Sequence, residues 1–89
     1  MKEFLPLGSI VVLKKGTKKI MIFGRIQIQV DTGKLWDYVG CLYPEGNINE
    51  KYTYLFNHED IGRIEFKGYI DEEEIQFQER LRNGKDFHV

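Results

Sequence analysis

Ile20, Ile22, Ile26, Ile28 and Val30 all stand on even positions of one run, Lys19 to Val30, and that period of two admits little besides a long β-strand with one buried face. Gly24 falls on the same face at the middle of the run. A position without a side chain inside a long strand marks a bend or bulge, the device by which one strand leaves one sheet and joins another. Met21 and Phe23 make the second face apolar before the bend, whereas Arg25, Gln27 and Gln29 make that face wet after it. The expectation is a strand covered on both sides in its first half only.

Around this strand the turn residues place the others. Ser9 to Lys14 reads as a strand joined to it by the turn Lys15-Gly16-Thr17-Lys18, which makes a hairpin. Asp31-Thr32-Gly33-Lys34 is a second turn leading into Leu35 to Tyr43, the strand that carries the single tryptophan. A polar loop from Pro44 to Lys51 precedes a fourth strand in which Tyr52, Tyr54 and Phe56 alternate with Thr53 and Leu55. Asn57, with Asp60 three residues on and Ile61-Gly62 following, suits a single helical turn closed by glycine. Arg63 to Lys67 alternates as a fifth strand, Ile64 and Phe66 inward.

The last element is legible from its caps. Asp71 at the cap position, Glu74 three residues on, and Ile70 facing Ile75 form a capping box with a hydrophobic staple. Asp71 to Glu74 crowd the positive end of the helix, Arg80 and Arg82 the negative end, and Gly84 is the stop. Phe77 and Leu81, four apart, form a narrow stripe able to dock on the sheet. Eighty-nine residues leave room for one core, hence one domain over 1–89: a sheet at about 5–69, a helix at about 71–83 and a tail at 85–89. The class is mainly β (α+β): a small five-stranded, strongly curved antiparallel sheet or SH3-like barrel with a C-terminal α-helix, a more open sheet with the helix over one face being the alternative.

Charge and chemistry narrow the function classes. A net charge of −1 argues against a general nucleic-acid binder or a polybasic membrane adhesin. The charge is unevenly spread, with +5 over 1–34, −7 over 35–74 and +1 over 75–89, so a fold that keeps these parts separate is dipolar. Lys14, Lys15, Lys18 and Lys19 form a basic hairpin that, with exposed aromatics nearby, constitutes the alternative nucleic-acid-binding reading, although lysines at a turn ordinarily guard a sheet edge. His58-Glu59-Asp60 sets an imidazole beside two carboxylates, but zinc spacings such as CxxC or HExxH do not occur, and neither a metal nor another cofactor is expected. Cys41, the single cysteine, permits no internal disulfide and reads as a small buried hydrophobe rather than a nucleophile.

No apolar run approaches the ~20 residues that span a bilayer, and Pro6, Gly8 and Ser9 interrupt the stretch after Lys2 that would otherwise pass for a secretory leader. The expectation is a cytoplasmic protein.

The aromatic residues point to a partner. Trp36, Tyr38, Tyr43, Tyr52 and Tyr54 cluster in the third and fourth strands around one long loop, and a core this small cannot hide them all. Trp36, Tyr38, Tyr43, Glu45, Asn47, Asn57, His58 and Glu59 are the candidate partner-binding residues. Tyr43 serves as apolar anchor, the Pro44 to Asn47 turn as a rigid edge, and the Asn57 to Glu59 turn as the polar group that fixes orientation. An uncovered edge strand also offers a route to a symmetric homodimer.

LPLGS at 5–9, GTKKIMIFGR at 16–25, WDYVGCLYPEGN at 36–47 and FNHEDI at 56–61 together resemble a family of small Gram-positive bacterial proteins classed as domain of unknown function 4176. The resemblance covers about four fifths of the chain and is weakest over the helix after Ile70 and the tail. It implies association with type VII secretion and LXG-type toxins, no attached enzymatic activity, and no functional residues to carry over. The expected function is a non-enzymatic binding module, accessory or adaptor to a secreted toxin or its secretion machinery.

Overall fold

In the computed structural model, which describes residues 3–83, five strands pair antiparallel: β1 (Ile10–Leu13), β2 (Lys19–Ile28), β3 (Leu35–Leu42), β4 (Thr53–Phe56) and β5 (Ile61–Phe66). Short 3-10 turns at Glu50–Tyr52 and His58–Asp60 flank β4, and one helix, α1 (Glu72–Asn83), follows β5. β5 begins at Ile61, so Gly62 lies inside the strand instead of closing the preceding turn. Gly84 and the tail at 85–89 lie outside the described residues.

The strand order is β4-β3-β2-β1-β5. The sheet therefore ends at β4 on one side and β5 on the other, with no ladder between them, and it is open. The expectation of a strongly curved sheet or an SH3-like barrel is incorrect. Closure needs the two edges to pair at a consistent stagger. Here β4 has only four residues, and β5 slips register against β1 twice, between Ile10 and Val11 and between Val12 and Leu13.

Gly24 marks a bulge, and the bulge has a larger effect than a bend. Ile22 lies opposite Gly40, but Gly24 lies opposite Val39 and Arg25 opposite Tyr38. Phe23 is thus the extra residue, and beyond it the faces of β2 exchange at Arg25, Gln27 and Ile28, the positions that pair with β3 again, because side chains alternate and one inserted residue shifts that alternation. Arg25, expected on the wet face, turns to the core side beside Tyr38, while Ile28 emerges on the other face opposite Leu35. A side chain on Gly24 would collide with Val39 Cγ1 at 2.6 Å, which accounts for glycine here. Ile26 adopts a left-handed φ of 51° and still packs against the core, a conformation that β-branched residues avoid.

The main core cluster lies on one side of the sheet, while Val12, Val39 and Cys41 are buried on the other. Val11, Ile20, Ile22, Tyr38 and Phe56 from the strands meet Phe4 and Leu5 from the N-terminal segment and Leu81 from α1. That segment is held at both ends. Gln78 accepts from Phe4 N–H at 3.3 Å and donates to its carbonyl at 2.7 Å, while the Ser9 hydroxyl donates to Pro6 O at 2.7 Å and accepts from Gly68 N–H at 2.9 Å. Helix α1 starts as the sequence indicates, with Asp71 Oδ1 accepting from Glu74 N–H at 2.9 Å. The Glu74 carboxylate, however, is taken by Arg25 and Gln78. The cap thereby becomes the joint between helix and sheet.

Candidate partner-binding surface

β3 separates the expected contact residues into two groups. Tyr43, Glu45 and Asn47 lie past its C-terminal end, whereas Trp36, Asn57, His58 and Glu59 gather near its N-terminal half, where Tyr38 pairs with Phe56. Five residues of strand from Tyr38 to Tyr43 span roughly 17 Å, so no single small contact covers both.

At the first group the chain turns tightly: Gly46 N–H donates to Leu42 O at 2.7 Å, Gly46 takes φ 86°, and the Tyr43–Pro44 bond is cis. Glu45 pairs with Lys18 at 2.8 Å across an exposed gap. The Lys18 hydrogen bond, the largest influence, lowers the Glu45 carboxyl below its usual value. Thr17, Lys18, Lys19, Tyr43 and Pro44 line a shallow groove of about 400 Å³. The basic hairpin is thus neighbour to the Tyr43 turn, and one of its lysines is already neutralised.

Around the second group a polar network ties β3 to the turn before β5. Tyr38 is 0% exposed and so presents no surface to a partner; it is a core residue. Its hydroxyl accepts from Leu5 N–H at 2.9 Å and shares a hydrogen bond of 2.7 Å with His58 Nδ1. Burial raises the Tyr38 pKa to about 12 against the opposing Leu5 hydrogen bond. His58 N–H donates to Asp37 Oδ2 at 2.8 Å, Asp37 N–H to Asn57 Oδ1 at 3.1 Å, and Asn57 N–H to Asp60 Oδ2 at 2.8 Å. His58 and Asn57 are therefore half-buried structural groups, whereas Glu59 faces solvent. Cys41 is buried in β3.

Between these groups lies a surface that the alternation pattern misassigned. The face exchange in β2 leaves Ile28 67% exposed with Leu35 opposite it at 58%, and Val30, in the turn beyond the strand, is 96% exposed. Ile28 and Val30 line an open groove of about 740 Å³ whose walls include Trp36, Val39, Tyr54 and Leu55. The β2–β3 turn fixes Trp36 there. Its indole Nε1–H donates to Gln29 Oε1 at 3.1 Å, Thr32 donates to the same oxygen at 3.2 Å, and Lys34 Nζ stands 3.9 Å from the ring centroid. Asp31 and Glu50 also line the groove. Gly24 is the sequence signal that predicts this face, provided the parity change after it is carried through.

Among the described residues no cluster of three or more His, Cys, Asp or Glu side chains is placed to hold a metal, and no helix is long and apolar enough to cross a membrane. Chemically, the groove offers apolar contact, a tethered indole and two carboxylates.

A family model described as Domain of unknown function (DUF4176) matches residues 4–77, from the N-terminal strap to Phe77 of the helix. No curated protein and no solved structure matches the chain.

Proposed function

The chain belongs to the DUF4176 family, and from that premise we propose that it is a non-enzymatic, cytoplasmic protein-binding module, an accessory or adaptor to type VII secretion of a toxin substrate. The secretion context rests on the family resemblance. The binding role rests on one observation: Ile28, Val30 and Leu35 stand exposed together beside a groove that holds Trp36 and Tyr54. Covering such side chains contributes ~1.5–3 kcal/mol for each one fully buried, and an indole held in place by Gln29 is the kind of anchor that dominates interfaces. The pairing of Lys18 with Glu45 reduces the positive field of the hairpin and favours a protein over nucleic acid.

A photo-reactive phenylalanine analogue placed at Leu35, and at Arg80 on the exposed helix face as a control, tests this in the native cells. The expected result is one cross-linked toxin or secretion component at Leu35 and none at Arg80. Identical products at both positions remove the groove from consideration.

A further inference from the structure

Resting on that reading, we infer that the partner is held as a sixth strand along the free edge of β4, by an extended apolar segment carrying Lys or Arg at its ends. The two edges of the sheet are built differently. β5 is guarded: it slips register twice against β1 and carries Arg63 and Glu65, with Lys67 just beyond it. Bulges and charges are the features that prevent an edge from pairing with another chain.

β4 has none of these. It reads Thr-Tyr-Leu-Phe, without charge or proline, and keeps one unbroken register with β3 from Tyr38↔Phe56 to Cys41↔Thr53. No strand of the described residues lies beyond it. A strand added there at the usual spacing of about 4.8 Å sends alternate side chains to the face of Leu55 and Val39, two of the residues that line the groove. Main-chain hydrogen bonds supply the docking and the groove supplies selectivity.

Charge decides the occupant. Asp31 and Glu50 are the two charged residues among the groove's walls, and neither is in an ion pair among the described residues. They sit toward opposite ends of the β3–β4 pairing, Asp31 in the β2–β3 turn and Glu50 just before β4. A second copy of this chain pairing through β4 brings its own Asp31 and Glu50, and so like charge, to the same edge. A basic-ended strand brings the complement.

The test titrates the full chain, labelled with nitrogen-15, with three synthetic octapeptides of alternating valine and threonine. One ends in lysines, one ends in glutamates, and one is lysine-ended with its valines N-methylated so that it cannot pair. The lysine-ended, pairable peptide is expected to shift the amides of residues 53–56 together with the Trp36 indole N–H and to slow their hydrogen exchange, and the N-methylated one to do neither. The glutamate-ended peptide binds at least about fivefold more weakly, and Asp31→Asn with Glu50→Gln removes about that much of the affinity and most of its salt dependence. Equal binding of all three peptides, shifts confined to β5, the same shifts on concentrating the protein alone, or no shift at β4 each overturn strand addition. Continued cross-linking at Leu35 in that event leaves the binding role standing, and loss of both removes the two together.

Discussion

The guanidinium of Arg25 grips the carboxylate of Glu74 with two prongs, Nη1 to Oε2 at 2.5 Å and Nη2 to Oε1 at 3.0 Å, while the side chains are only 5% and 13% exposed. This pair joins the bulged half of β2 to the first turn of α1, across 49 positions of sequence. The Arg25 carbon chain and guanidinium also lie against Phe77, 5.3 Å from its ring centroid. A polar residue thus fixes where the helix meets the sheet.

Arg25→Ala is expected to cost about 3 kcal/mol, because it strands a carboxylate in a largely buried site. Arg25→Ala combined with Glu74→Ala is expected to cost distinctly less than the sum of the single changes. Urea denaturation of the three variants and the parent measures the coupling, and additive losses refute it.

Acid sensitivity follows from the same pair. Burial opposes ionisation of Glu74, but hydrogen bonds from Arg25 and Gln78, with the Arg25 charge, outweigh it and hold the carboxyl below the ordinary glutamate range. A folded-state value below the unfolded one contributes stability that is present above the unfolded pKa and is lost as pH falls through the folded pKa. The urea midpoint should therefore fall as pH drops below 4.5, and fall less steeply in Glu74→Gln. Parallel pH profiles for parent and variant contradict this.

Tyr38→Phe removes the acceptor of the Leu5 N–H and the hydrogen-bond partner of His58 Nδ1, and an unpaired buried group costs about 1–3 kcal/mol. The phenol is held up to about 12 against 10.0 in the unfolded chain, so its contribution is complete below pH 10 and declines as pH rises toward 12. The ultraviolet titration difference between parent and Tyr38→Phe shows which value holds. A tyrosine signal lost near pH 10 instead of 12 disproves the assignment.

Gly68→Ala places a methyl 2.1 Å from the Leu7 carbonyl oxygen, a backbone atom that cannot rotate away. The expected loss is about 2–4 kcal/mol, with loosening of the strap that Gly68 N–H fastens to Ser9. Gly16→Ala, whose added methyl meets only ordinary contact at 3.4 Å, serves as the control. Thermal unfolding of the two variants separates them, and equal stability rules out the clash.

Leu35→Glu changes an exposed side chain and is expected to alter stability by no more than about 0.5 kcal/mol, yet to abolish recovery of the cross-linked partner from a neighbouring reactive position at Val30. Leu81→Ala, in the core, is expected to cost about 2–5 kcal/mol. A Leu35→Glu protein that still captures its partner places the contact elsewhere.

Much of the architecture is legible in short windows. Alternation identifies the strands, Lys15-Gly16 and Thr32-Gly33 their turns, and Asp71 the start of α1, because each signal acts through neighbours a few residues away. What those windows cannot carry is register. Whether the first and last strands meet depends on stagger summed over four ladders, and the element order is the same for an open sheet and a closed one. The candidate surface was misread for the same reason: Tyr38 is ring-bearing like Trp36, yet pairing with Arg25 and Phe56 sends it into the core.

The amino-acid sequence by itself determined the five strands, the helix, the bulge at Gly24 and the presence of more aromatic surface than one small core absorbs. Tertiary structure decided that the sheet stays open, that Arg25 is buried against Glu74, and that Ile28, Val30 and Leu35 face outward. The reason is that one inserted residue costs little locally but shifts the alternation of the strand after it, and only the partner strands and the docked helix settle which face is then covered.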